Sequence, residues 1–109
     1  LSFDGTDDFV RVAPSAALKM AGALTIEAWV YPTGQGTSPW GTIVNKEGEY
    51  ALWRGADGML WYAVASGVPG WTWISTGAAI PLNQWTHVAL TYDGAWLRAY
   101  RNGVTKSPA

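Results

Sequence analysis

The sequence predicts an all-β fold, an antiparallel β-sandwich of jelly-roll type with about nine short strands. Three observations carry this expectation. Short runs alternate apolar and polar residues with period two, as half-buried strands do. Turn chemistry built on Gly, Pro and Asp separates the runs at short, regular intervals. Helical signals are nearly absent, which sets aside a parallel α/β sheet with its crossover helices.

In chain order, Leu1 to Phe3 and Phe9 to Val12 read as short strands around Asp4-Gly5-Thr6-Asp7-Asp8, forming a first hairpin or corner. Pro14 to Met20 supports a helical turn or two, with Ser15 as its cap. Ala23 to Tyr31 alternates, placing Leu24, Ile26, Ala28 and Val30 on the core face and Thr25, Glu27, Trp29 and Tyr31 on the other. Pro32 to Pro39 is a loop by composition, followed by a strand from Gly41 to Lys46. Tyr50 to Arg54 and Met59 to Ala65 flank Asp57-Gly58, a strong hairpin signal. Gly67-Val68-Pro69-Gly70 then turns the chain into a strand from Trp71 to Thr76, and Gly77 to Asn83 is a further loop. Trp85 to Tyr92 alternates, with Val88, Leu90 and Tyr92 on one face, and Asp93-Gly94 links it to a last strand from Trp96 to Arg101.

A chain of 109 residues with no dividing run has room for one domain, spanning 1–109, and one core. Its 49% hydrophobic and 14% charged composition excludes disorder by low hydrophobicity. The formal net charge is −1, and the seven Lys and Arg are scattered from Arg11 to Lys106. A partner such as nucleic acid or an anionic membrane wants a concentrated basic patch, so both are set aside. With no Cys there is no disulfide, thiolate metal site or cysteine nucleophile. No stretch has the length of a transmembrane helix, and any signal peptide lies upstream of Leu1. Eight Trp exceed what so small a core needs, and indoles suit stacking on flat apolar faces, those of sugar rings included.

Three segments, read in order, carry a family likeness: Leu1-Ser2-Phe3-Asp4-Gly5-Thr6-Asp7-Asp8-Phe9-Val10, Leu24-Thr25-Ile26-Glu27-Ala28-Trp29-Val30-Tyr31-Pro32, and Trp85-Thr86-His87-Val88-Ala89-Leu90-Thr91-Tyr92-Asp93-Gly94. Together with Leu97 to Val104, which ends in an Asn-Gly turn, they resemble the laminin G-like jelly roll of bacterial secreted and surface proteins. That family lies within the concanavalin A-like lectin and glucanase fold. The resemblance implies a non-catalytic carbohydrate-binding or adhesion module, extracellular or at the cell surface, with a glycan or matrix ligand as partner. It also implies further strands beyond residue 109. A piece of a longer polypeptide accounts for this better than completion by a neighbouring chain in a homo-oligomer or assembly. Arg101 stands where relatives tend to have an aliphatic residue.

Catalysis in the wider fold needs two carboxylates about 5 Å apart on one strand face. Glu27 is alone on its strand, and Glu47 and Glu49 belong to a turn, so no glycosidase pair is present and no catalytic residue is assigned. His87, the one histidine, is expected to form a cross-strand pair with Glu27. Asp4, Asp7 and Asp8 are candidate ligands for calcium, which favours carboxylate and carbonyl oxygens, with Asp57 and Asp93 as lesser ones. The same residues also serve ordinary turns. For ligand binding, Trp71 and Trp73 share a strand face, Trp61 lies on the preceding strand and Trp40 ends the long loop. Arg54 is a polar partner for that platform, with Arg98 and Arg101 behind it. The competing account has Trp29, Trp53, Trp61 and Trp85 filling the sandwich. A structural subunit, packing through exposed aromatics and open sheet edges, is the alternative to a binding module.

Overall fold

The computed structural model describes residues 1–19, 22–65 and 70–108, with 106–108 by backbone alone. Period-two patterning becomes eight strands: β1 (Leu24–Val30), β2 (Gly41–Lys46), β3 (Tyr50–Arg54), β4 (Met59–Val64), β5 (Ile74–Ala79), β6 (Thr86–Tyr92), β7 (Leu97–Arg101) and β8 (Val104–Pro108). They form two antiparallel four-stranded sheets in the orders β1-β6-β7-β8 and β2-β3-β4-β5. The inner faces meet in one core. Ile26, Val88, Leu90, Tyr92 and Ala99 of the first sheet pack with Tyr50, Leu52, Leu60, Tyr62, Val64 and Ala78 of the second, with Ile80 just beyond β5. Leu24, Ala28 and Val30 join from β1, so the alternation of that strand is as expected.

The turns follow their chemistry. In the β3–β4 hairpin, Gly58 takes φ +79, and the Asp57 carboxylate accepts the Met59 N–H at 3.0 Å. Between β6 and β7 the Asp93 carboxylate accepts the N–H groups of Ala95 (2.9 Å) and Trp96 (2.7 Å). Asn102 and Gly103 both have positive φ, the geometry a tight two-residue hairpin demands, and they join β7 to β8. Arg101 faces inward on its strand, and its guanidinium donates to the Ala79 carbonyl of β5 at 3.3 Å. The charge thus replaces aliphatic packing with a link between the sheets.

Three expectations need correction. Leu1 to Phe3 and Phe9 to Val12 are not strands. The acidic segment makes its turn, with Asp4 Oδ1 accepting the Thr6 N–H at 2.8 Å and Asp8 Oδ2 accepting the Asp4 N–H at 2.9 Å. Its flanks find no strand to pair with, and Phe3, Phe9, Val10 and Val12 are all exposed. The segment is tied instead to the long loop, where Thr37 N–H donates to the Gly5 carbonyl at 2.9 Å. Second, β5 begins at Ile74 and runs through the expected loop to Ala79. A bulge opposite Leu60 makes this possible: Thr76 Oγ1 donates to the Leu60 carbonyl at 2.9 Å and accepts the Ala78 N–H at 3.0 Å, while Gly77 takes φ +71. Third, the helical segment is a single 3₁₀ turn, Ala16–Leu18, with no side-chain cap from Ser15. Met20, and the turn residues Gly67, Val68 and Pro69, lie outside the described residues.

β1 and β2, two of the four edge strands, each pair on one side only. Between them lies an open groove of about 540 Å³ lined by residues 17–19 and 23–27, Glu27 among them, with Val44 and Tyr50. The Tyr50 hydroxyl donates to the Leu18 carbonyl at 2.8 Å and holds the 3₁₀ turn at its rim.

Candidate functional site

The site grows from the parity of the strands. Because Tyr50 and Leu52 point into the core, Ala51 and Trp53 point outward; because Leu60, Tyr62 and Val64 point inward, Trp61 and Ala63 point outward. The register of the β3–β4 hairpin sets Ala51 opposite Ala63 and Trp53 opposite Trp61. Pairing of Tyr62 with Ile74 then brings Trp73 beside Ala63 on the same outer face.

Trp53 of β3 and Trp73 stack with centroids 3.4 Å apart and planes 20° from parallel. To meet, they must cross β4, and a small side chain at Ala63 leaves the space. Ala51 and Ala63 are fully buried although they face outward. Trp40 packs at 5.3 Å from Trp53 and 5.8 Å from Trp61, and Trp71 at 5.3 Å from Trp73. Five indoles are therefore contiguous on the outer face of β2–β5. None of the eight Trp belongs to the core, which corrects the account in which Trp29, Trp53, Trp61 and Trp85 fill the sandwich. Leu, Val, Ala and Tyr already occupy the inward positions, and Trp29 and Trp85 stand 65% and 63% exposed.

Polar groups fix the indoles. Trp61 Nε1 donates to both Asp57 oxygens, at 3.1 and 3.2 Å. The Met59 N–H holds the Asp57 carboxyl below its usual range against the opposing effect of burial, with lesser help from this indole and the nearby Arg54 charge. Gly55 makes room for the pair: a Cβ there would meet Trp61 Nε1 at 2.6 Å and Asp57 Oδ1 at 2.7 Å. Trp53 Nε1 is buried with no acceptor.

Arg54 is not brought onto the indole face. Its guanidinium donates to the Ile80 carbonyl at 2.8 Å and to Gln35 Oε1 at 3.0 Å. Gln35 Nε2 in turn donates to the Pro39 carbonyl at 2.8 Å, and Trp40 N–H donates to Ser38 Oγ at 3.1 Å. Arg54 thus reaches the platform through the loop that ends in Trp40. Arg98 lies 3.5 Å from Asp93 on the other sheet.

Asp4, Asp7 and Asp8 can bring one carboxylate oxygen each within 4.8 Å of one another, all exposed. The donor set is that of a hard cation, yet two of the three carboxylates already accept the N–H bonds of their own turn. Asp57 and Asp93 are occupied by the hairpin contacts described above. The expected Glu27–His87 pair does not form among the described residues: the register sets His87 opposite Trp29 and Glu27 opposite Ala89. His87 instead packs edge-on against Trp29 at 5.2 Å. Glu47 accepts from Asn45 Nδ2 at 3.4 Å, and Glu49 pairs with Lys46.

Sequence reasoning missed Trp53 as a platform member, although its strand parity against Tyr50 and Leu52 carried the signal. Gln35 and Gly55 left none, because their roles depend on a loop path and on one indole's rotamer. A family model of the laminin G type, described as the concanavalin A-like lectin/glucanases superfamily, matches residues 4–108. No curated protein and no solved structure matches the chain.

Proposed function

The chain belongs to the concanavalin A-like lectin/glucanases superfamily, a lectin-like or adhesion module in general terms, and on that footing we propose that it is a non-catalytic saccharide-binding module. The indole cluster on the outer β2–β5 face is its binding surface. The observation that carries this reading is the contiguity of Trp40, Trp53, Trp61, Trp71 and Trp73 outside the core. An outward row of indoles offers apolar faces to the C–H faces of a sugar ring, while neighbouring polar groups address its hydroxyls. The buried Trp53 Nε1 adds a donor that a ligand oxygen would satisfy when it displaces part of the stack.

Laminin G-like domains are generally non-catalytic and commonly extracellular, and among the described residues no helix is long and apolar enough to cross a membrane. The module is accordingly assigned to a secreted or surface protein, with calcium at Asp4, Asp7 and Asp8 as a second proposal. A glycan-array screen with calcium and with chelator, run beside a Trp71→Ala/Trp73→Ala double variant, tests both. Defined hits should weaken at least tenfold in the variant, the loss of about 1.4 kcal/mol of stacking. Dependence on calcium would support the acidic turn as its seat. An empty array from folded protein overturns the saccharide reading.

A second reading, a structural subunit, draws on the open groove between β1 and β2 and on the exposed apolar residues of the first twelve positions. Sedimentation separates the two: a binding module stays monomeric, and an assembly subunit grows with concentration.

A further inference from the structure

The opposite layer of the sandwich carries aromatic residues that the proposed site does not use. On the outer face of β1 and β6, Trp29, Tyr31 and Trp85 stand 65%, 45% and 63% exposed. They are organised by the register. Trp29 lies across from His87 with rings 5.2 Å apart, and Tyr31, one step beyond the Val30–Thr86 pair, meets Trp85 at 5.4 Å. Two cross-strand aromatic pairs thus form one strip along the sheet. Three large rings left side by side in water are costly unless something covers them.

Next along the strip is a row of different chemistry. Glu27 faces outward two residues before Trp29, opposite Ala89, which is itself opposite Tyr100 of β7. Ala89 is only 8% exposed, so the larger side chains around it wall a shallow dip with a small residue at its floor. Among the described residues Glu27 has no ion pair and no hydrogen bond, while the cation on the next row, Arg98, is beside Asp93. The face therefore presents an unneutralised carboxylate at the end of an aromatic strip. His87 is fixed there by its backbone, whose N–H and C=O both bond Asn102, at 2.9 Å each.

We propose that this face is a second saccharide site, selective for a cationic amino sugar. Aromatic faces attract both sugar C–H groups and cations. A free carboxylate beside them accepts charge-assisted hydrogen bonds from an ammonium group and repels a uronate or sulfate. The first surface differs in this respect, because its carboxylate, Asp57, is already engaged by the Met59 N–H and the Trp61 indole. The sites lie on the outer faces of opposed sheets and point away from each other, so one module can hold two chains at once. The second site stands independently of the reading given to the first.

The test is calorimetric titration near neutral pH with three oligomers of matched length: glucosamine, N-acetylglucosamine and galacturonate. Wild-type protein should prefer glucosamine over its acetylated counterpart and reject galacturonate. Glu27→Gln, nearly isosteric on an exposed position, should lower glucosamine affinity about tenfold, as expected for a charge-assisted bond, and leave the acetylated oligomer within twofold. Trp29→Ala/Trp85→Ala should remove the charge-selective part of glucosamine binding, the part that Glu27→Gln weakens. Equal binding of the charged and acetylated oligomers, indifference to Glu27→Gln, or loss of glucosamine binding only in the Trp71→Ala/Trp73→Ala variant would each overturn the second site. The last outcome would leave the first surface standing.

Discussion

At Trp53 three demands meet: its ring stacks on Trp73, it covers the buried alanine pair, and its indole N–H is enclosed without an acceptor. An unmet buried donor costs roughly 1–3 kcal/mol. A surface that keeps such a residue gives up stability at the place proposed to meet ligand. Asp57 and Asp93 do the opposite, because each carboxylate is held below its ordinary pKa, first by a backbone N–H of its own hairpin, Met59 for one and Trp96 for the other. A carboxyl whose folded pKa is lowered contributes stability that is fully present above the unfolded value, about 3.9, and is lost as pH falls through the folded value. Urea midpoints should therefore drop as pH falls below about 4. In Asp57→Ala/Asp93→Ala this part of the slope should flatten, with a lower midpoint at neutral pH. An unchanged slope would mean that these exposed bonds contribute nothing measurable.

The long loop between β1 and β2 shows how an element is placed by residues distant in sequence. Gln35 bridges the Arg54 guanidinium to the Pro39 carbonyl, and Ser38 accepts the Trp40 N–H, so strand β3 orients an indole through a loop side chain. Gln35→Ala should leave the fold intact, since the loop is largely exposed, and weaken saccharide binding several-fold by loosening Trp40. Trp40→Ala should give the larger loss, and the double variant should add little to it, which a thermodynamic cycle would read directly. Full additivity would separate Gln35 from the platform. The same loop explains what was legible beforehand. Strands β1, β2, β3, β4, β6 and β7 follow local alternation between punctuating turns, so their span could be read to within a residue or two. The extension of β5 through Gly77 could not, because it rests on Thr76 replacing ladder bonds with its own hydroxyl. The first twelve residues have strand composition, but pairing is a property of two segments, and composition shows only one. The indole pair Trp71 and Trp73 was visible as a candidate; the stack that joins Trp73 to Trp53 required the register of β4.

Across the whole molecule, the two layers are joined in the middle by the apolar core and near β5 and β7 by the Arg101 link, while the β1 and β2 edges leave a groove open onto Leu24, Ile26, Val44 and Tyr50. Unpaired edges beside uncovered apolar side chains are sticky surface. The native 109-residue chain should consequently bind an apolar dye such as ANS, with fluorescence saturating at a defined stoichiometry and disappearing on unfolding. Val44→Lys, a charge placed on the half-buried lining of an edge strand, should reduce that signal severalfold while far-UV circular dichroism stays unchanged. The indole surface on the outer face of β2–β5 shares no residue with the groove, so its saccharide affinity should be the same in the variant and the parent, whereas Glu27 of the β1 face also lines the groove. If Val44→Lys instead abolishes saccharide binding without unfolding the chain, the groove is part of the ligand site and the division of labour between the faces and the open edge is wrong. If dye binding and sedimentation are both unaffected, the groove is closed in solution, and the structural-subunit reading loses the observation it draws on.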